Sequence, residues 1–150
     1  MDATAPQSPA GLRTTPSWLL NQAATHAGRL ISAGFAVHDL RGYHYRLLAA
    51  LAESGPASQA DLGRRCAIDR SDVVAAVNDL TGRGLVVRAP DPADRRRNVI
   101  SLTEAGADEA HRMADTVARV QDDLLAPLSS AERDQLTRLL TRLLEHHSGH

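Results

Sequence analysis

Between Ser58 and Gly82 the chain carries two short amphipathic segments, separated only by the tight turn Ala67-Ile68. Ser58 offers a hydroxyl to cap the first, and Asp61 follows at capping-box spacing. Leu62 and Cys66 fall on the buried side of that segment. Asp69 opens the second with Asp72 at the reciprocal position, and Val73, Val74, Val77 and Leu80 make its apolar face. Gly82 and Gly84 end it. Two compact helices joined by so short a turn form the helix-turn-helix pattern. The next segments are equally short: the β-prone Leu85-Val86-Val87-Arg88, a polar loop, and Val99-Ile100-Ser101-Leu102. A strand, a loop and a second strand after a helix-turn-helix add a wing.

Longer helices are predicted on either side. Pro16 opens one whose apolar face runs through Leu19, Leu20, Ala23, Ala27, Leu30 and Ile31, with Gly34 near its middle or its end and the boundary left open. A second covers roughly 40–53, where Leu40, Tyr43, Leu47, Leu48 and Leu51 share a stripe before Gly55-Pro56. Thr103 caps a third, roughly 104–125. Pro127 breaks it, and Ser129 with Glu132 forms the capping box of a last helix bearing Leu136, Leu139, Leu140, Leu143 and Leu144. Aromatic residues are only 3% of the chain, so Leu, Val and Ala must build the core, a composition that favours helix. The expected class is mainly α, a winged helix-turn-helix with a small β-hairpin and long terminal helices. The expected organisation is a flexible arm at 1–15, a dimerisation helix at 16–39, a DNA-binding lobe at 40–102 and dimerisation helices at 103–150. Long amphipathic helices with so little of their own domain to pack against are natural dimer-interface material. With no apolar run approaching ~20 residues, no signal pattern and a single cysteine, a cytoplasmic protein is expected.

Net charge is −1, yet the charge is polarised. Residues 83–97 hold Arg83, Arg88, Arg95, Arg96 and Arg97 against Asp91 and Asp94, a net of +3; residues 103–150 hold five arginines against nine acids, a net of −4. Three consecutive arginines at a hairpin tip suit the negative potential of a narrow minor groove. Asp94 is near enough to hold a neighbouring arginine in one rotamer, which lowers the entropy lost on binding. A recognition helix would present its first turns to base edges in the major groove: Arg70, Ser71, Asp72 and Ala75, with Asn78 one turn later. Ser58 and Gln59 start the preceding helix, where backbone N–H groups can meet a phosphate, and Arg64 lies on that helix. Taken singly, Arg64 and Arg70 read more readily as solvated surface charges; the wing beside them reverses that in favour of DNA.

Asp91-x-x-Asp94-x-Arg96, followed five residues later by Leu102-Thr103, resembles the wing signature of the MarR family of winged-helix regulators. Asp79-Leu80-x-x-x-Gly84-Leu85-Val86-x-Arg88 is similar to that family's recognition-helix exit and first wing strand, and Ser58-Gln59-Ala60-Asp61-Leu62 to its preceding helix. The similarity runs through residues 17–145. One departure is Ala67, where the family often has glycine. The resemblance implies a homodimer built from the first and last two helices on a palindromic operator, with Arg96 as the minor-groove arginine and Asp94 as its orienting partner; once Arg96 has that role, Arg95 and Arg97 read as contacts to the DNA backbone. It also implies a pocket between the dimerisation helices and the DNA-binding lobe, often taking small aromatic anions. Candidates for it here are Trp18, His26, Arg29, His38, Arg41, Tyr43, His44 and Tyr45. Trp18 reads equally as an interface anchor, and His44 and Tyr45 as packing residues.

Other chemistries find less support. His26, His38, His44 and His111 form no HxxxH pair, and no CxxC occurs, so no metal site is expected; His146, His147 and His150 read as a frayed tail. Cys66 on an apolar face reads as a small buried thiol rather than a sensor. No nucleophile elbow, phosphate loop, metalloprotease pair or dinucleotide fingerprint is present, so neither an enzyme nor a cofactor is expected. The expected function is a ligand-responsive, homodimeric DNA-binding regulator, most simply a repressor. The rival is a winged-helix module that binds a protein or sequesters a small molecule without touching DNA, a reading kept open by the net charge of −1.

Overall fold

The computed structural model describes residues 9–149; residues 1–8, most of the expected arm, and His150 of the histidine tail lie outside the described residues. The remainder of the arm is not irregular: Ala10–Arg13 forms a short helix, α1. Thr15 Oγ1 donates to Gly11 O at 2.8 Å, fastening α1 to the start of α2 (Pro16–Ala36). Gly34 falls near the end of α2, which runs on to Ala36. It lies inside the helix, where an added Cβ would sit 3.0 Å from Thr116 Cγ2 and 3.2 Å from Val120 Cγ2, so its missing side chain lets α2 press against α6 (Glu104–Leu124).

The lobe follows in the order α3 (Gly42–Ser54), β1 (Ala57–Ser58), α4 (Gln59–Cys66), α5 (Arg70–Gly82), β2 (Val86–Pro90) and β3 (Asn98–Leu102). Its three strands form an antiparallel sheet in the order β1-β3-β2, with Ala57 opposite Ile100 and Arg88 opposite Ile100 on the other side. β1 was not expected, because two residues between a proline and a helix carry no periodic signal. Its pairing nevertheless hydrogen-bonds the base of the wing to the start of α4. Leu47, Leu48, Leu62, Val73, Val77, Leu80, Val86, Ile100 and Met113 are wholly buried and form one core under α3, α4, α5 and the sheet.

Caps agree with expectation at Ser58, Thr103 and Ser129, whose side chains accept from Asp61 N, Gly106 N and Glu132 N. Asp69 is a correction. It occupies the N-cap of α5 but makes no side-chain cap bond; that helix start is exposed, so its free N–H groups remain open to solvent. Val74 is another. Its register turns it away from Val73 and Val77, and it stands 39% exposed. Ala67 takes the left-handed conformation, φ 52° and ψ 50°, that closes the turn between α4 and α5.

Two close approaches lock the lobe to the last helices. Thr103 N donates to Leu85 O at 3.1 Å while its hydroxyl donates to Gly84 O at 2.6 Å. Gly106, one turn on, passes so near that a Cβ would lie 1.9 Å from Leu85 O. α7 (Ser130–Ser148) differs from every lobe helix in that none of its residues is buried, and Leu139, Leu143 and Leu144 are exposed. Leu19 and Leu20 at the start of α2 are exposed as well. No helix among the described residues is long and apolar enough to cross a membrane.

Candidate nucleic-acid interface and ligand cleft

The exposed stripe of α5 comprises Arg70, Ser71, Val74, Ala75 and Asn78, spaced as one helical face. Asp72 is exposed in the same first turn. Asn78 is less free than expected: its Oδ1 accepts from Arg88 Nη2 of β2 at 2.9 Å, so the helix and the first wing strand share a polar tie. Arg64 on α4 is exposed but engaged with Asp61. Val74, treated above as core, joins the exposed stripe; the alternation of buried and open positions along α5 was the signal that could have found it.

The wing loop is shaped by its aspartates. Asp91 Oδ1 accepts from Ala93 N at 2.9 Å and Asp94 Oδ1 from Arg96 N at 3.1 Å, two turns of the kind in which a short carboxylate mimics a backbone acceptor. Asp91 N to Arg97 O at 2.8 Å then closes the loop. Asp94 Oδ1 also accepts from Arg96 Nε at 3.2 Å, which aims a guanidinium that is otherwise 92% exposed. Arg95 is exposed. Arg97 folds back to donate from Nη2 to Ser58 Oγ at 3.2 Å, although Ser58 itself is buried. Between α5 and the wing lies a notch of about 460 Å³, with Ser58, Gln59, Arg70, Val74, Arg96 and Arg97 among its walls. The recognition-helix residues and the wing arginines therefore flank one concavity.

A larger cleft of about 830 Å³ opens where α2, the turn into α3 and the end of α5 meet. Ile31, Phe35, Ala36 and Leu40 supply apolar wall; Arg41, Arg46 and Arg83 supply cations against Asp39 and Asp79; Tyr43 and His44 supply polar rings. Arg46 is tied to Cys66 O at 2.8 Å and Arg83 to Asp39 at 3.4 Å. His44, at the third position of α3, accepts from Arg41 N at Nδ1, 3.0 Å, standing where a capping-box glutamate would. That bond puts the proton of the neutral ring on Nε2. Nε2 lies 3.4 Å from Asp79 Oδ2, so its proton faces that carboxylate at a distance and angle too poor for a formed hydrogen bond. Burial pulls the His44 pKa down from its usual 6.5, and the Asp79 carboxylate partly opposes that.

Only Arg41, Tyr43 and His44 of the eight sequence-derived pocket candidates line this cleft. His38 instead clasps α6, with Nδ1 3.0 Å from Glu109 Oε1 and Nε2 2.7 Å from Thr116 Oγ1. Tyr45 stacks on Phe35 with ring centres 5.3 Å apart and faces a separate groove between α3 and α6. His26 and Arg29 are exposed on α2, and Trp18 is half-buried near its start. Asp79 and Arg83 were missed as cleft residues, since sequence alone does not bring the end of α5 beside the start of α3. No group of three His, Cys, Asp or Glu side chains among the described residues is placed to hold a metal. Cys66 is buried and its thiol is pushed up by that burial, the reverse of what a reactive thiolate needs.

A helix-turn-helix with an arginine-tipped wing, joined to long terminal helices across a cleft, defines a winged helix-turn-helix regulator. Residues 38–97 match the MarR family model. The chain is 38% identical over 104 residues to a putative transcriptional regulatory protein for the hcr operon of Thauera aromatica, covering 69% of this chain and 63% of that relative's length. It is 32% identical over 107 residues to the HTH-type transcriptional repressor NicR of Pseudomonas putida, 71% of this chain and 68% of that one. Among solved structures it resembles BpsR of Bordetella bronchiseptica, a study of regulation of DNA binding by 6-hydroxynicotinic acid, with a TM-score of 0.78 and 25% identity over 91% of this chain and 97% of that one. The chain belongs to the MarR family of transcriptional regulators, which are not enzymes.

Proposed function

We propose that this protein is a cytoplasmic transcriptional repressor that binds a palindromic operator as a homodimer and releases it on binding a small aromatic anion. One observation carries the DNA-binding half: the open stripe of α5 and the wing arginines flank the same notch, so both can engage one duplex. Arg70 offers a guanine-reading fork to the major groove, and Arg96, aimed by Asp94, reaches the adjacent minor groove. The exposed leucines of α7 and of the start of α2 support segments 16–39 and 103–150 as the dimer-forming parts around a DNA-binding lobe at 40–102. Two recognition helices so joined would meet successive major grooves about 34–36 Å apart.

Duplexes selected from random fragments and titrated by gel shift test this reading. Arg96→Ala should weaken every selected duplex, and Arg70→Ala should relax base preference as well as affinity. Affinity that barely responds to salt would favour a protein-binding module instead, since phosphate contacts release counterions.

The cleft supports the effector half. Its apolar floor suits a planar ring, its three arginines suit a carboxylate, and the His44 Nε2–H, only loosely held by Asp79, suits one further acceptor. Because Asp79 and Arg83 belong to the end of α5, a ligand seated there meets the recognition helix directly. It shifts the dimer only by its preference for one shape over another. Calorimetric titration with 6-hydroxynicotinic acid and related aromatic carboxylates tests the class. Binding should be lost in Arg41→Ala and weakened in His44→Ala; equal affinity in both variants would place the ligand elsewhere.

A further inference from the structure

We infer that Arg97 is a phosphate clamp: it holds the DNA strand that separates the groove read by α5 from the groove read by the wing. This rests on the DNA-binding reading and adds to it a second, differently built arginine in the wing. The three consecutive arginines are not equivalent. Arg96 is aimed outward by Asp94 at the tip, whereas Arg97 turns back and donates to Ser58 Oγ at 3.2 Å. Ser58 is itself fixed: it is buried, and it accepts from Asp61 N at 3.1 Å as the cap of α4. A guanidinium carries five N–H donors in a rigid fork, so one bond to Ser58 sets its orientation and leaves the others available.

The available donors border the notch between α5 and the wing. That notch carries Arg70, Arg96 and Arg97 and no carboxylate, although the chain as a whole is acidic. Its position decides the ligand. A helix lying in a major groove and a wing tip reaching into the neighbouring minor groove have one sugar–phosphate strand between them, and that strand must cross the gap between helix and wing. A phosphodiester oxygen lodged there meets Arg97 already oriented. The Val74 methyl groups on the notch wall offer an apolar surface to the adjoining deoxyribose. Arg97 thus fixes where the protein sits on the duplex and carries no base information, and Ser58 acts through it as a positioning residue.

The test uses the full chain, a selected duplex and fluorescence anisotropy across a salt series. Arg97→Gln should weaken binding roughly tenfold or more, equally for matched and mismatched duplexes. It should also make the slope of log affinity against log salt shallower by about 0.9 for each neutralised phosphate, hence by about twice that for a dimer. Ser58→Ala should lower affinity while leaving the salt slope intact, because the cation remains and only its alignment is lost. Arg97→Lys should likewise retain the slope. Replacing the strand's phosphates one at a time with neutral methylphosphonates should find one whose effect disappears in Arg97→Gln. A wild-type salt slope in Arg97→Gln, or a loss confined to particular base sequences, would overturn the clamp while leaving DNA binding in place. Failure of the wild-type chain to bind any duplex would overturn both.

Discussion

The winged lobe and the last helix treat their apolar residues in different ways. In the lobe, α3, α4 and α5 each sink leucines or valines completely within one chain: Leu47, Leu62 and Leu80 are at most 1% exposed. α7 is a nineteen-residue helix with a full capping box, and none of its residues is buried; Leu136 and Leu140 are only half-covered. Full burial of a leucine contributes roughly 1.5–3 kcal/mol over leaving it in water, so lobe helices are stabilised by their own chain and α7 hardly at all. A helix on its own is marginal in water, because most helical stability comes from packing one face. The lobe is therefore specified inside a single chain, and α6 joins its core through Ala110 and Met113, while α7 keeps its leucine face open.

The difference is broken most forcefully at the joint between the two regions. Gly106→Ala would place a Cβ 1.9 Å from Leu85 O and 2.9 Å from Leu85 C, backbone against backbone, where no side chain can yield. Overpacking ordinarily costs about 1–3 kcal/mol, and this variant should lose about 3 kcal/mol or more in a urea titration. Stability within ~0.5 kcal/mol of wild type would mean that the helix is not seated against Leu85. On the other side, if the proposed dimer forms through α7, Leu139→Asp with Leu143→Asp should give monomers in sedimentation velocity where the wild type gives dimers, and lower duplex affinity by at least tenfold. The lobe should keep its own thermal transition. If the lobe unfolds with α7, the two regions form one cooperative unit and the distinction drawn above fails.

How much of this was legible in the sequence follows the same division. Helix order, the caps at Ser58, Thr103 and Ser129 and the hairpin could be read because each rests on neighbours within a few residues. Asp91 and Asp94 could be read as wing residues for the same reason, although not the two turns they build. Gly106 could not be recognised as a contact point, since its meaning depends on Leu85, which reaches it only through the wing. Asp79 and Arg83 were missed in the cleft, and His38 and Tyr45 were assigned to it, because helix packing rather than spacing decides which wall a side chain joins. Val74 was misplaced by composition: three valines in five residues look like a core, but a helix can bury only those on one face.

His44 sharpens the comparison through pH, since it stands where the lobe meets α2. Its folded pKa lies below its usual 6.5, with burial the largest cause. Between those two values the unfolded chain binds more protons, so stability rises with pH there and is lost as pH falls below about 6.5. His44→Gln can still accept from Arg41 N but does not titrate. The stability gap between wild type and variant should narrow on acidification, measured by urea midpoints across pH. A gap independent of pH would show that His44 charges as freely in the fold as outside it.

The smallest expected effect lies in the turn between α4 and α5. Ala67 holds φ 52°, a left-handed conformation that costs an L-residue roughly 1–2 kcal/mol, and its exposed side chain contributes no packing in return. Ala67→Gly removes that strain, but glycine also gives the unfolded chain more freedom, worth about 0.4–1 kcal/mol. The difference leaves a gain of about 0.5 kcal/mol, readable as a small rise in the urea midpoint. Because the turn belongs wholly to the lobe, the dissociation constant of the proposed dimer should not move. A variant that changed dimerisation while leaving the midpoint fixed would show that the α4–α5 turn is coupled to the terminal helices, and the boundary between the two regions would have to be redrawn around it.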